Sequence, residues 1–157
     1  MAALLAPGAL FALGMILLSQ STRFEWLRSP HTLRWEIWAI AIFGSVATVG
    51  GVLDHRLHLQ LGMHVGKKER RVELAALALG GLPLFALMAV ATWTHAAVLL
   101  LPVMVQTLVV AVLVTYDEVR FHTRRCGRYE TLLHRVLVFG QAGALLCWMH
   151  LCFVRPL

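Results

Sequence analysis

The chain has 157 residues, of which 59% are hydrophobic and 14% charged, and its mean hydropathy is +0.75. A soluble domain carries about 25% charged residues, so this composition excludes an ordinary soluble protein and indicates an integral membrane protein. Two stretches, residues 53–73 and 116–135, contain ten of the 14 Lys and Arg residues that produce the net charge of +6. Basic loops between apolar runs are typical of the positive-inside bias, so this distribution argues against nucleic-acid binding.

Five apolar runs predict five transmembrane helices in one membrane domain, residues 1–157. The predicted helices cover residues 2–19, 35–53, 72–93, 97–116 and 132–154. The first run, of about 18 residues, is just long enough to span a hydrocarbon core. It lacks the basic start and the cleavage site of a signal peptide, so we expect a retained helix.

Individual residues predict anchors, contacts and hydrogen bonds within these helices. Trp35 and Trp38 open the second helix as interfacial anchors. Gly80, Gly81 and Pro83 predict a kink or a close helix contact in the middle of the third. Polar groups within apolar runs predict hydrogen bonds between helices; they are Gln106, Thr107 and Gln141.

Five spans would place both basic stretches on one side of the membrane, and the positive-inside bias assigns that side to the cytoplasm. The turn at His95 and the C-terminus would then lie outside. We expect the inner membrane of a bacterium. Helices two to five are predicted to form a four-helix bundle of two repeated hairpins, with the first helix as an addition.

The two basic stretches also contain six of the eight acidic residues and five of the eight histidines. Residues four apart on a helix project from the same face. The pairs at this spacing are Asp54 with His58, Glu69 with Glu73, Glu118 with His122, and Glu130 with His134. One pair therefore lies at the same end of each of helices two to five, and in a bundle the pairs could converge. Carboxylates and imidazoles from four helices are how bundles hold two metal ions.

The predicted donor set favours iron, with manganese or zinc as alternatives. Extra ligands or hydrogen-bonding neighbours of the ligands would come from His55, His64, Asp117, Tyr116 and Tyr129. The ligand chemistry resembles that of ferritin-like di-metal bundles, although their Glu-x-x-His interval is one residue shorter. The layout is similar to that of membrane desaturases and hydroxylases, whose dense histidine boxes are absent here. Three cysteines without a Cys-x-x-Cys pair argue against a thiolate site.

Two simpler explanations account for part of this pattern. Acids at helix N-termini favour the helix dipole, which would explain Glu69, Glu73 and Glu130 but not the acids at helix C-termini. Ion pairing with the nearby bases would explain the charges but not the five histidines. His31 and His95 are expected to be solvated, and His150 to bond a neighbouring helix rather than a metal.

The favoured hypothesis is a di-metal, di-iron-type oxidoreductase that acts on a lipid-like or quinone-like substrate at the cytoplasmic face. An anionic headgroup would be held by Lys67, Lys68, Arg124 and Arg125. Its partners would be membrane lipids, an electron donor and, in a homo-oligomer, further copies of the chain. Alternatives are a metal-delivery or assembly factor, a metal-dependent membrane hydrolase, and a non-enzymatic subunit whose basic loops bind lipid headgroups or a partner.

Overall fold

The computed structural model describes residues 2–60, 71, 74–117, 119 and 127–154, and every regular element in these ranges is helical. Five α-helices follow one another in the described chain: α1 Ala2–Ser19, α2 Trp35–Gln60, α3 Leu82–Thr94, α4 Leu100–Asp117 and α5 Arg128–Met149. Short 3-10 or π-helical segments lie beside them, at Thr22–Leu27, Ala76–Gly81, Ala97–Leu99 and His150–Val154. The all-α prediction is therefore confirmed for these residues.

Within the described chain, three helical stretches are long and apolar enough to cross a membrane: Trp35–Gln60, Ala97–Tyr116 and Arg128–Val154. Two apolar stretches are shorter, Leu5–Ser19 and Ala78–Thr94. Most of the Ala97–Tyr116 stretch is not buried inside the protein. Exposing such a large apolar surface to water is unfavourable, so these helices indicate a membrane-associated protein. The count of five spans and the bundle of two repeated hairpins remain predictions.

α3 begins at Leu82 rather than at residue 72, because the π-helical segment Ala76–Gly81 precedes it. Two other boundaries differ because the helix continues beyond its apolar run. α1 matches the predicted residues 2–19. α2 ends at Gln60 rather than at residue 53, and α5 begins at Arg128 rather than at residue 132. Hydropathy detects only the apolar part of a helix, whereas the backbone hydrogen bonds continue into the polar surface region. Both extensions place predicted ligand residues on regular helix.

The described chain forms two compact units, and the first contains α1, the elbow (residues 20–34), α2, and α5 within Leu132–Leu151. In the elbow, Arg28 Nε donates a 2.8 Å hydrogen bond to the Ser19 carbonyl. A buried apolar cluster joins the elbow to the start of α2 and to the π-helical segment after α5; its members are Phe24, Leu27, Ile37 and Leu151. The elbow is therefore a folded cap rather than an extended linker.

Glycines allow α2 and α5 to approach closely within the first unit. A Cβ atom added at Gly140 would lie 2.8 Å from the Ala47 Cβ and 2.9 Å from the Phe43 carbonyl oxygen. One added at Gly50 would lie 3.2 Å from the Leu133 carbonyl oxygen. Contacts that advance along α2 move back along α5, so the two helices are antiparallel. Small residues at such a contact are the usual means of bringing membrane helices together. We call this contact the glycine seam.

The second unit contains α3 and α4, which form a hairpin. His95 ends α3 in the left-handed conformation, with φ of 48°, and its backbone N–H donates to the Ala91 carbonyl at 2.8 Å. On the far side of the turn, the 3-10 segment Ala97–Leu99 leads into α4. The sequence predicts a tight turn over residues 92–95, but α3 continues through Thr94, so the turn lies at His95 and Ala96.

A side chain of α4 supplies a hydrogen bond that the backbone before α3 lacks. Pro83 has no N–H, so the Leu79 carbonyl four residues earlier lacks its usual helical donor. Gln106 Nε2 donates to that carbonyl at 2.7 Å and to the Gly80 carbonyl at 3.0 Å. The π-helical segment Ala76–Gly81 ends here, and Gly80 packs against α4. The predicted close helix contact and the interhelical role of Gln106 are both confirmed.

Gln106→Leu is expected to lower the free energy of unfolding by about 1–2 kcal/mol, because it leaves a carbonyl in an apolar setting without a donor. Thr107→Val is the control. The Thr107 hydroxyl donates to the Val103 carbonyl of its own helix, and that carbonyl keeps its backbone donor when the hydroxyl is removed. Thermal unfolding in detergent, followed by circular dichroism, measures both. Equal losses in the two variants would contradict the assigned role of Gln106.

Candidate metal centre

Three side chains of the types that can bind a metal ion converge where the end of α2 meets the start of α5. Asp54 and His58 lie one turn apart on α2, and Glu130 lies in the first turn of α5. One ligand atom from each of the three lies within 4.8 Å of the other two. Glu130 belongs to the continuous helix α5, Arg128–Met149. We call Asp54, His58 and Glu130 the metal triad.

The metal triad is shielded from solvent. Glu130 is 3% exposed, and the side chains of Asp54 and His58 are 14% and 23% exposed. The distance from His58 Nδ1 to the nearer Asp54 oxygen, Oδ2, is 3.9 Å. That distance is longer than a hydrogen bond. The carboxylate and the imidazole can therefore each offer a ligand atom to the same metal ion. The arrangement therefore offers two carboxylates and one imidazole in a mostly dry location.

The glycine seam positions the metal triad. Gly50 lies four residues before Asp54 on α2, and it packs against Leu133, three residues after Glu130 on α5. One helical turn separates this backbone contact from Asp54 on α2 and from Glu130 on α5, and over one turn a helix is nearly rigid. The close approach at Gly50 therefore brings the carboxylates of Asp54 and Glu130 to the same level.

Other predicted site residues in the described chain lie outside the metal triad. His134 is half-buried one turn after Glu130, but it is not within the 4.8 Å group. His55 is half-buried and next to Asp54 in sequence. Tyr116 and Tyr129 are exposed. Three of the eight predicted metal ligands thus come together, from the ends of two helices.

The remaining predicted site residues lie outside the described part of the chain. They are Glu69, Glu73, Glu118, His122, His64, Lys67, Lys68, Arg124 and Arg125, together with the side chain of Asp117. The convergence of four pairs, the second metal ion and the headgroup site therefore stay predictions.

A pair of polar side chains lies where α2 begins and α5 ends, at the other end of these two helices from the metal triad. Glu36, in the first turn of α2, is fully buried, and its Oε1 lies 2.9 Å from Nδ1 of His150. The Trp35 ring lies against the imidazole of His150, with centroids 5.4 Å apart and planes tilted by 50°. The predicted bond from His150 to a neighbouring helix is confirmed. We call Glu36 and His150 the carboxylate–imidazole dyad.

Sequence reasoning did not identify Glu36. An acid in the first turn of a helix favours the helix dipole and needs no further explanation. Its neighbours held a signal, however. In residues 35–38, Trp-Glu-Ile-Trp, an acid stands between interfacial aromatics at the start of an apolar run. Ile37 and Leu151, which follow the two dyad residues, belong to the apolar cluster under the elbow, so the fold buries the carboxylate.

The chain matches no protein-family model, and no curated protein or solved structure is significantly similar to it. Function is therefore inferred from the arrangement of its own residues.

Proposed function

We propose that the protein is an integral membrane metalloprotein whose metal triad binds a divalent transition metal. The supporting observation is the approach of three ligand atoms, from Asp54, His58 and Glu130, to within 4.8 Å of one another. The carboxylates of the half-buried Asp54 and the buried Glu130 repel each other at such a separation, and a bound cation would offset the repulsion.

The donor set selects the class of metal. Carboxylate oxygens with one imidazole suit iron, manganese or zinc, whereas a structural zinc site is usually rich in thiolates. Three protein ligands on one side of an ion leave coordination positions open for water, oxygen or substrate. A site of this kind suits catalysis better than a purely structural role.

The fuller proposal is a di-metal oxidoreductase, with iron favoured, at the cytoplasmic face. The second ion would draw on His134 and His55, and on the predicted ligands Glu69, Glu73, Glu118 and His122. A bound redox metal would supply oxygen activation or Lewis acidity. A site at a helix end is reachable sideways from the bilayer, which supports a lipid-like or quinone-like substrate and an external electron donor. Metal delivery or metal-dependent hydrolysis would use the same ligands.

One observation favours a non-enzymatic alternative. Asp54 and His58 are four residues apart with 3.9 Å between N and O, a spacing found in ordinary ion pairs along a helix. On that view the charged helix ends serve only to bind lipid headgroups or a partner, and no metal is bound. This alternative does not explain why the buried Glu130 joins the pair.

Elemental analysis of the freshly purified protein separates these proposals. The metal triad alone predicts about one transition-metal ion per chain, and the di-metal site predicts about two, mainly iron. His58→Ala should lose most of the metal, because one of three ligands is removed. The control is His31→Ala, since His31 is exposed in the elbow, and its metal content should match wild type. Wild type without bound metal would refute the metalloprotein proposal.

The proposed orientation is tested separately. A topology reporter inserted after Gly66 should report the cytoplasm, because the basic residues of that stretch favour the cytoplasmic side. A periplasmic signal would place the metal triad on the outer face and overturn the cytoplasmic assignment, while leaving the metal proposal intact.

A further inference from the structure

The carboxylate–imidazole dyad is distinct from the metal triad and has a different composition. Asp54 lies 18 positions after Glu36 on α2, which corresponds to about 27 Å along the helix axis. Glu36 is fully buried, whereas the side chain of His150 is 38% exposed. Within the described part of the chain, His150 Nε2 makes no hydrogen bond. A buried ionisable group at a membrane surface has a desolvation cost, and it usually marks a functional site.

The hydrogen bond constrains where the protons of the dyad lie. An ionised carboxylate only accepts hydrogen bonds, so with Glu36 ionised the proton at the 2.9 Å contact belongs to His150 Nδ1. A neutral imidazole has one N–H and one lone pair, so Nε2 then presents its lone pair away from Glu36. Glu36 lies in the first turn of α2, where the helix dipole stabilises a negative charge.

The surroundings of the dyad leave the His150 imidazole, rather than the Glu36 carboxylate, as the group that can exchange a proton with another molecule. The Trp35 ring covers part of the imidazole, and the apolar cluster under the elbow adjoins both dyad residues. The charged groups on the packed elements are Arg34, whose guanidinium lies over the Trp26 ring at 4.7 Å, and the exposed Arg23, Glu25 and Arg28 of the elbow. Cys147, a free and half-buried thiol, lies three residues before His150 in the sequence. The sequence of α1 contains no titratable side chain.

We propose that His150 Nε2 is an acceptor site for an O–H donor at the membrane face opposite the metal triad, with Glu36 as the positioning residue. The donor is water at the surface or the hydroxyl of a phenol or hydroquinone dissolved in the bilayer. The lone pair of Nε2 accepts the hydrogen bond and, when the proton is transferred, forms the second N–H of an imidazolium beside the Glu36 carboxylate. The donor leaves as its conjugate base, and deprotonation reverses the step.

Nitrogen NMR of the full-length chain in lipid nanodiscs, labelled with ¹⁵N-histidine, tests the positioning role. The neutral ring of His150 should carry its proton on Nδ1 rather than on Nε2 by about tenfold or more, because a charge-assisted hydrogen bond favours that tautomer. Glu36→Gln should reduce this preference several-fold, since a neutral amide oxygen is the weaker acceptor. His150→Phe identifies the resonance. A wild-type ring protonated on Nε2 would mean that Glu36 donates the proton, and it would overturn the proposal.

The same sample distinguishes the two sources of the O–H group. A saturable shift of the Nε2 resonance on adding an alkyl-substituted hydroquinone, absent in His150→Phe, would support a bilayer-dissolved donor. A response to buffer pH without a response to the hydroquinone would support water as the donor. No response of Nε2 to either would refute the acceptor site. None of these outcomes depends on metal content, so this inference and the metalloprotein proposal can fail separately.

Discussion

Gly140→Ala should lower the free energy of unfolding by about 2 kcal/mol, the largest stability change expected for adding a single methyl group to this chain. The added Cβ would lie 2.8 Å from the Ala47 Cβ, 2.9 Å from the Phe43 carbonyl oxygen and 3.0 Å from the Ala47 backbone nitrogen. Two of these three atoms are backbone, so side-chain rotation cannot relieve the overlap. The glycine seam must open instead, separating α2 from α5.

The matched control is Gly44→Ala, on α2, the helix against which Gly140 packs. An added Cβ at Gly44 has no neighbouring atom within 4 Å. Alanine should therefore raise the stability by about 0.5–1 kcal/mol, because it loses less backbone entropy in a helix than glycine does. Thermal unfolding in detergent measures both variants. If Gly140→Ala were as stable as Gly44→Ala, α2 and α5 would not pack through these glycines.

Glu130→Gln should weaken metal binding by about 100-fold or more. Even the loss of a group that only supports a ligand typically weakens metal affinity 10–100-fold, and here a proposed ligand is changed directly. The substitution keeps the shape of the side chain while removing its negative charge, so the packing of a residue that is 3% exposed is retained. Competition with a coloured chelator measures the affinity.

Glu25→Gln is the control for Glu130→Gln. Glu25 is an elbow acid whose side chain is 63% exposed, and its contact with Arg28 is a surface ion pair of 3.7 Å. The same loss of charge there should leave metal affinity unchanged. Equal affinity in Glu130→Gln and wild type would remove Glu130 from the site and leave Asp54 and His58 as an ordinary helical pair.

Gly140→Ala and Glu130→Gln also distinguish the effect of helix packing on the site from the loss of a proposed ligand. Gly140 is ten residues from Glu130 on α5, so Gly140→Ala alters the site only through the packing of the two helices. We expect Gly140→Ala to reduce both stability and metal affinity, whereas Glu130→Gln should reduce metal affinity with little change in stability in the absence of metal. A Gly140→Ala protein that is destabilised yet binds metal normally would show that the first turn of α5 does not depend on the glycine seam.

The antiparallel pair of α2 and α5 holds a polar site at each end. The distance of about 27 Å along α2 between Glu36 and Asp54 approaches the thickness of a hydrocarbon core, about 30 Å. Between them the seam contacts are apolar or glycine: Phe43, Ala47, Gly50 and Gly140. This separation favours two surface sites with separate chemistry over one continuous polar path.

Local chemistry made several features predictable from the sequence. The helices follow from long apolar runs, and the Asp54–His58 pair follows from four-residue spacing on one face. The sequence shows that Pro83 leaves a carbonyl without its usual backbone donor. It also shows that the side-chain amide of Gln106 can donate a hydrogen bond within an apolar run. Their pairing needed the hairpin, because 23 positions separate them along the chain and nothing local selects a carbonyl of the π-helical segment before α3.

The sequence by itself determined an apolar, all-helical protein with acids and histidines at the helix ends. Only the tertiary structure decided which of those residues meet. Residues four apart share a helix face whatever the helix packs against, so spacing reveals Asp54 with His58. Spacing cannot reveal that Glu130 joins them, or that Glu36 meets His150, which is 114 positions away. Those contacts depend on glycines that allow two backbones to approach at one register, a property of the space between helices rather than of either helix alone.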